Sequence, residues 1–81
     1  MQLNSRVVNT IAEMWVLHAL CALKFYGQLK DTNELISIIK STQLETSFVT
    51  NLLHGYQMYD ECVKHMILKE QYTECLEYIK Q

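Results

Sequence analysis

The sequence predicts an all-α domain of about five helices, arranged as consecutive antiparallel hairpins. The chain has 81 residues with two glycines and no proline, which favours uninterrupted helices. Its β-branched residues are scattered and never alternate with polar ones, so a sheet is not indicated. Apolar residues make up 49% and charged residues 20%, unlike a disordered chain. We therefore expect a single folded helical domain, either an α-solenoid-like segment of a longer repeat protein or a small self-contained bundle.

The first helix is predicted to run from Asn4 or Ser5, either of which can cap the first amides, to Tyr26. Gly27 follows and can end the helix in a left-handed turn. The longest apolar stretch, residues 14–23, is interrupted by a histidine and is shorter than the roughly 20 residues that span a bilayer. Apolar side chains there cover more than one face, so we expect a buried helix, covered from several sides and not inserted in a membrane.

Two capping boxes predict the starts of the next two helices. Asp31 can cap the second helix while Glu34 reaches back. The third helix is predicted to open with Thr42 and Glu45 in the same arrangement and to end at Gly55.

The last third of the chain contains a short echo of itself. Residues 59–63, Tyr-Asp-Glu-Cys-Val, return thirteen residues later as residues 72–76, Tyr-Thr-Glu-Cys-Leu. This predicts a helix-plus-turn unit used twice: a fourth helix from Tyr59 or Asp60, a turn over residues 69–72, and a fifth helix over residues 73–81. No stop signal follows the fifth helix, which favours a segment of a longer protein over a natural frayed end.

Residues 54–80, which contain the echo, resemble the helical repeats of the clathrin heavy chain and of vacuolar-sorting subunits. In those repeats an aromatic, two acidic or polar residues and a small apolar residue open each helix, and residues 59–62 and 72–75 fit this pattern. Residues 26–35 look like a looser third instance. The resemblance implies a scaffold for vesicle trafficking or tethering, and it carries over no functional residue.

Charge and cysteine content narrow the class of function. The net charge is −2 and the seven basic residues are spread singly, which disfavours nucleic acid as a partner. The chain does not open with a secretory signal pattern, so we expect a cytoplasmic protein. The three cysteines are then expected to be reduced core thiols, and no cofactor is predicted.

Two histidine–cysteine pairs are the candidates for a metal site. His18 with Cys21, and Cys62 with His65, are each spaced to share one helical face and together could form a Cys2His2 zinc set. The favoured interpretation is that the cysteines are core residues, that His18 makes a buried hydrogen bond and that His65 faces water. No metal site is therefore predicted.

A cysteine nucleophile is the corresponding catalytic alternative. Cys62 and Cys75 lie in first turns of predicted helices, where the helix dipole favours a thiolate. Glu61 and Glu74 lie in the same turns and oppose that charge, and no acid–base pair accompanies them. We therefore predict no enzyme activity and no catalytic residue.

The candidates for partner binding are large side chains of types enriched at interfaces: Trp15, Tyr56, Met58 and Tyr78. Burial in the core is the favoured alternative for Trp15. Tyr59 and Tyr72, which recur at the turn, are expected to pack between helices.

The sequence thus predicts a non-enzymatic scaffold or adaptor that binds protein partners or itself through exposed helix faces. The predicted contact sites are the first half of the long helix and the last helix, where open ends of a helical array need a neighbour. The first alternative is a self-contained bundle that holds an amphipathic helix in a groove beside Trp15 and Phe48. The second is a cysteine- or zinc-dependent regulator.

Overall fold

The computed structural model describes residues 4–81 as an all-α chain, with no strand in that part, and so confirms the predicted fold class. Its helices are α1 (Ser5–Phe25), α2 (Asn33–Ser41), α3 (Thr46–Gly55), α4 (Tyr59–Leu68) and α5 (Tyr72–Ile79). The chain divides into two compact units, the first ending at Leu44 and the second beginning at Glu45. In the first unit α1 packs against α2, and in the second α3 packs against α4 and α4 against α5.

Local signals define both ends of α1, as predicted. Asn4 is the N-cap, and its side-chain oxygen accepts a hydrogen bond from the Val7 N–H at 2.9 Å. Gly27 follows the helix with φ of +72°. Its N–H donates to the Lys24 carbonyl, and the next N–H donates to the Leu23 carbonyl at 2.8 Å. This pair of bonds is a Schellman motif, which needs a left-handed residue at the position of the glycine.

The burial of α1 differs from the prediction. Only Leu17 and Cys21 are buried, so the expectation of a helix covered from several sides is wrong. The first unit supplies a single neighbouring helix, α2, whose buried side chains are Leu35 and Ile39. Within the first unit, α2 covers one face of α1, on which Leu17 and Cys21 lie.

The two predicted capping boxes are also wrong. The Asp31 carboxylate accepts a hydrogen bond from the Asn33 N–H at 2.9 Å, and α2 begins only at Asn33. Likewise the Thr42 hydroxyl accepts from the Leu44 N–H at 3.0 Å, and α3 begins at Thr46. In both places the side-chain oxygen accepts a hydrogen bond from the N–H two residues later and so forms a turn. The same oxygen is then not used to cap the first turn of a helix.

The second unit repeats the Schellman motif of α1 without glycine at its centre. After α3, Gln57 has φ of +63°, and after α4, Glu70 has φ of +60°. The residues that follow them, Met58 and Gln71, donate their N–H groups back into the preceding helix at 2.9 and 2.8 Å. Gly55, the predicted helix end, is the last residue of α3 and is still helical.

These turns explain the thirteen-residue echo. Tyr59 and Tyr72 are the first residues of α4 and α5. Cys62 and Cys75 are both buried, and their N–H groups make the equivalent first-turn bonds to the carbonyls of the cap residues at 3.0 and 2.9 Å. The helix-plus-turn unit predicted from the sequence is therefore used twice.

Candidate functional site

The most unusual surface of the molecule is a continuous apolar face on α1, here called the outer face. Its residues recur at intervals of three or four: Val8, Ile11, Trp15, Ala19, Ala22 and Tyr26. At about 100° per residue, they lie opposite the buried pair Leu17 and Cys21. All of them except the half-buried Ala22 are exposed.

The outer face contains no charged side chain. The charged residues of α1 are Arg6, Glu13 and Lys24, and the helical period places all of them on the side of Leu17. A surface helix ordinarily shows the reverse arrangement, with charges opposite the buried stripe. The apolar character of the outer face therefore needs an explanation other than packing within its own unit.

Trp15 lies at the centre of the outer face. Its side chain is 72% exposed, whereas burial in the core was the favoured prediction. An exposed indole flanked by the small side chain of Ala19 presents a large rigid contact surface, of the kind that dominates many protein interfaces.

By length and composition, α1 is also a helix that could cross a membrane. Buried helices of soluble proteins and signal sequences can have the same length and composition, so this property alone does not identify a membrane span. Within residues 4–81, α1 is the one helix with this length and composition.

A second set of exposed apolar side chains lies on the last helix. Leu76 and Ile79 are both more than half exposed, while Cys75 beside them is buried. The two predicted contact regions, the first half of α1 and the last helix, therefore both carry exposed apolar side chains.

The second unit also contains an aromatic cleft, built by the end of α3, the start of α4 and the end of α5. It has a volume of about 450 Å³ and is lined by His54, Tyr59, Asp60, Val63, Tyr78, Ile79 and Gln81. A hydrogen bond of 2.9 Å joins the Tyr78 hydroxyl and His54 Nδ1. The His54 ring meets those of Tyr59 and Tyr78 edge to face, at centroid distances of 5.4 and 5.6 Å.

Tyr78 connects the cleft to the buried thiol of Cys62. This thiol donates a hydrogen bond to the Thr50 carbonyl at 3.4 Å, and Tyr78 also hydrogen-bonds to it. Burial raises the pKa of the Cys62 thiol, and the nearby Cys75 adds to the rise, although the bond to Tyr78 opposes it. Burial together with the bond to Cys62 raises the pKa of Tyr78 to about 12. Both groups are therefore protonated at neutral pH, and Cys62 lacks the lowered pKa that a cysteine nucleophile requires.

The structure separates the four predicted partner-binding residues. Trp15 is on the outer face, and Tyr78 lines the aromatic cleft. Tyr56 caps α3 and is half-buried. Met58 is only 3% exposed and belongs to the core of the second unit. The sequence did not point to His54, because its contact with Tyr78 spans 24 residues of chain and has no local signature.

Both predicted positions of the histidines are wrong. His18 is exposed, whereas a buried hydrogen bond was expected, and His65 is 1% exposed, whereas contact with water was expected. His65 follows Cys62 by three residues and therefore shares the buried face of α4. Within residues 4–81, no three His, Cys, Asp or Glu side chains are grouped as metal ligands.

Tyr59 and Tyr72 are exposed, at 49% and 57%, whereas packing between helices was expected. Tyr59 contacts His54 in the cleft.

Comparison with known protein families, curated proteins and solved structures finds no match to this chain. The resemblance to clathrin-type helical repeats therefore stays a prediction.

Proposed function

We propose that this chain is a non-enzymatic interaction module that binds a helix of a protein partner along the outer face of α1. The observation that carries the proposal is an uncharged apolar stripe with Trp15 exposed at its centre, opposite the side that packs in the first unit. Burying such a stripe against a partner removes apolar surface from water and stabilises the complex by about 25 cal/mol for each Å² buried.

The spacing of the outer face favours a helix as the binding partner. Apolar residues at intervals of three or four form the ridges that fit into the grooves of a second helix. The small side chains of Ala19 and Ala22 allow a close approach of the two helix backbones. Trp15, one turn before Ala19, supplies a large aromatic side chain that can anchor the partner. An amphipathic helix of another protein, or of a second copy, has the matching chemistry.

Two further parts of the proposal have separate support. The non-enzymatic role is supported by the burial and raised pKa of Cys62, the best nucleophile candidate in the sequence. A place in a cytoplasmic trafficking or tethering assembly is supported by the resemblance of residues 59–62 and 72–75 to clathrin-type helix openings.

A lipid surface is the second candidate for the outer face, because α1 has the length and composition of a membrane helix. The charges of Arg6, Glu13 and Lys24 lie on one side of the helix, so a lipid-bound α1 would lie flat with its outer face in the bilayer. The two candidates thus use the same face and differ in what covers it.

Photocrosslinking in cells distinguishes them. A photoreactive phenylalanine analogue, which keeps a large aromatic ring at the anchor position, replaces Trp15 on the outer face, and the matched control replaces Ser37, which is exposed on α2. We expect discrete protein adducts from position 15 that are missing from position 37. The further change Ala19→Glu, at an exposed position, should abolish them without reducing helix content in circular dichroism.

Lipid adducts from position 15 would instead favour the membrane candidate. Equal protein adducts from positions 15 and 37, or adducts that survive Ala19→Glu, would show that the outer face is not the binding surface and would contradict the proposal.

A further inference from the structure

We infer that the aromatic cleft of the second unit binds an alkylated ammonium group, such as a trimethylammonium. The juxtaposition that carries this inference is three aromatic rings, His54, Tyr59 and Tyr78, around a small cleft that is also lined by the carboxylate of Asp60. The cleft involves α3, α4 and α5 and is independent of the function proposed for α1.

The arrangement of the rings suits a cation. His54 makes edge-to-face contacts with Tyr59 at an interplanar angle of 67° and with Tyr78 at 78°, so it holds both tyrosine rings in place at the cleft. The bond between His54 Nδ1 and the Tyr78 hydroxyl fixes two of these rings. A cation within about 6 Å of the ring centroid of Tyr59 or Tyr78 is attracted by the negative face of the phenol ring.

The charge of the cleft points the same way. Within residues 4–81, Asp60 is the only acidic side chain that lines it, and no lysine or arginine does. Asp60 is exposed at the second position of α4 and lines the cleft. The Asp60 carboxylate would repel an anion bound in the cleft and would attract a cation.

The remaining walls select among cations. Asp60 can pair with any cation, whereas the apolar surface of Val63 and Ile79 packs against methyl groups and makes no hydrogen bond to a bare ammonium. Its volume of about 450 Å³ lies in the lower part of the range of small-molecule sites, about 300–1,000 Å³. The cleft should therefore prefer a methylated ammonium to an unmodified one.

The same group occurs on methylated lysine side chains and on choline headgroups, and the test includes both. The chain labelled with ¹⁵N is titrated with trimethyl-lysine amide and, separately, with glycerophosphocholine, while amide shifts are followed by NMR. Lysine amide and a neutral compound with a tert-butyl group in place of the trimethylammonium serve as ligand controls.

We expect shifts confined to the lining residues of the cleft with at least one trimethylammonium ligand, and weaker shifts with both controls. The stronger of the two ligands identifies the source, a protein side chain or a lipid headgroup. Equal binding of the neutral compound, or no shift at the cleft with either ligand, would overturn the inference.

The chain offers matched variants for the same titration. Tyr59→Leu removes one wall and should weaken binding about two- to fivefold, from the roughly 0.5–1 kcal/mol of an exposed cation–π contact. Tyr72→Leu makes the same change at the equivalent first position of α5, outside the cleft, and should leave binding unchanged.

Asp60→Asn should also weaken the trimethylammonium ligands about two- to fivefold, as expected for one exposed charge pair, and leave the neutral compound unaffected. If Tyr72→Leu costs as much as Tyr59→Leu, or if Asp60→Asn has no effect, the recognition described here is incorrect. All three positions are exposed, so these variants should keep their helix content.

Discussion

Replacing Gly27 and Gly55 by alanine should change the free energy of unfolding in opposite directions. Both glycines stand at the ends of helices, and the sequence alone assigns them the same role. The structure separates them, because Gly27 has φ of +72° while Gly55 is still part of α3. A Cβ atom added at either position meets no atom within 4 Å, so steric clashes do not enter the comparison.

The magnitudes follow from the backbone conformation. At Gly27 a left-handed alanine costs about 1–2 kcal/mol. The smaller conformational entropy of the unfolded alanine chain returns about 0.4–1 kcal/mol, which leaves a net loss of about 1 kcal/mol. At Gly55 alanine is favoured over glycine by up to about 1 kcal/mol, and somewhat less in a last turn.

The assay is urea unfolding followed by far-ultraviolet circular dichroism, with amide hydrogen exchange to assign each change to the first or the second unit. A change of 1 kcal/mol moves the urea midpoint by about 0.3–1 M, since the free energy of unfolding of a small domain falls by about 1–3 kcal/mol per M of urea. Destabilisation by both substitutions, or a stabilising Gly27→Ala, would refute the assignment of the left-handed turn to Gly27.

Three further predictions concern single side chains. Asn4→Ala removes the cap of α1 and should cost about 1 kcal/mol in urea unfolding, whereas Asn9→Ala, exposed within the same helix, should cost nothing; equal losses would contradict the capping role. Cys62 should react with a thiol reagent only as fast as the second unit opens, since it is buried and its pKa is raised, and rapid labelling of the folded chain would argue against both. The pKa of Tyr78 is raised from its ordinary value of 10.0 to about 12 in the folded chain, so the unfolded chain loses the Tyr78 proton first. The stability that protonated Tyr78 contributes to the fold is therefore fully present below pH 10 and is lost as the pH rises to about 12. Tyr78→Phe should therefore flatten the alkaline fall in the urea midpoint, and Tyr72→Phe should not; an unchanged slope for Tyr78→Phe would contradict the shift.

The parts of the fold that the sequence predicts well are those set by local chemistry. Asn4 and Gly27 define α1 because a capping side chain and a left-handed glycine act within a few residues of themselves. Asp31 and Thr42 misled the prediction because each has two local options, a turn two residues on or a helix cap. The left-handed Gln57 could not be anticipated, since nothing in its side chain favours that conformation.

The sites were predicted less well, because they depend on packing between distant residues. Tyr78 was singled out from composition, but the cleft also needs His54, far away in the chain. Met58 resembles a surface anchor in composition, yet it follows the turn at Gln57 and lies in the core. The exposure of Trp15 reflects the number of helices in its unit, which the apolar content of α1 does not reveal.

The repeated turn of the second unit has a consequence for how such a chain can change in length. The residues that lead into α4 and α5, Met58 and Gln71, have nearly the same backbone conformation, with φ and ψ of −94° and 65° in one and −91° and 60° in the other. Removing residues 59–71, or duplicating them, would join one of these conformations to the helix that normally follows the other, and the direction of the chain would be preserved. The second unit thus repeats in a step of thirteen residues, whereas an insertion of about two residues within a helix would turn the next buried cysteine by about 200°, away from the core.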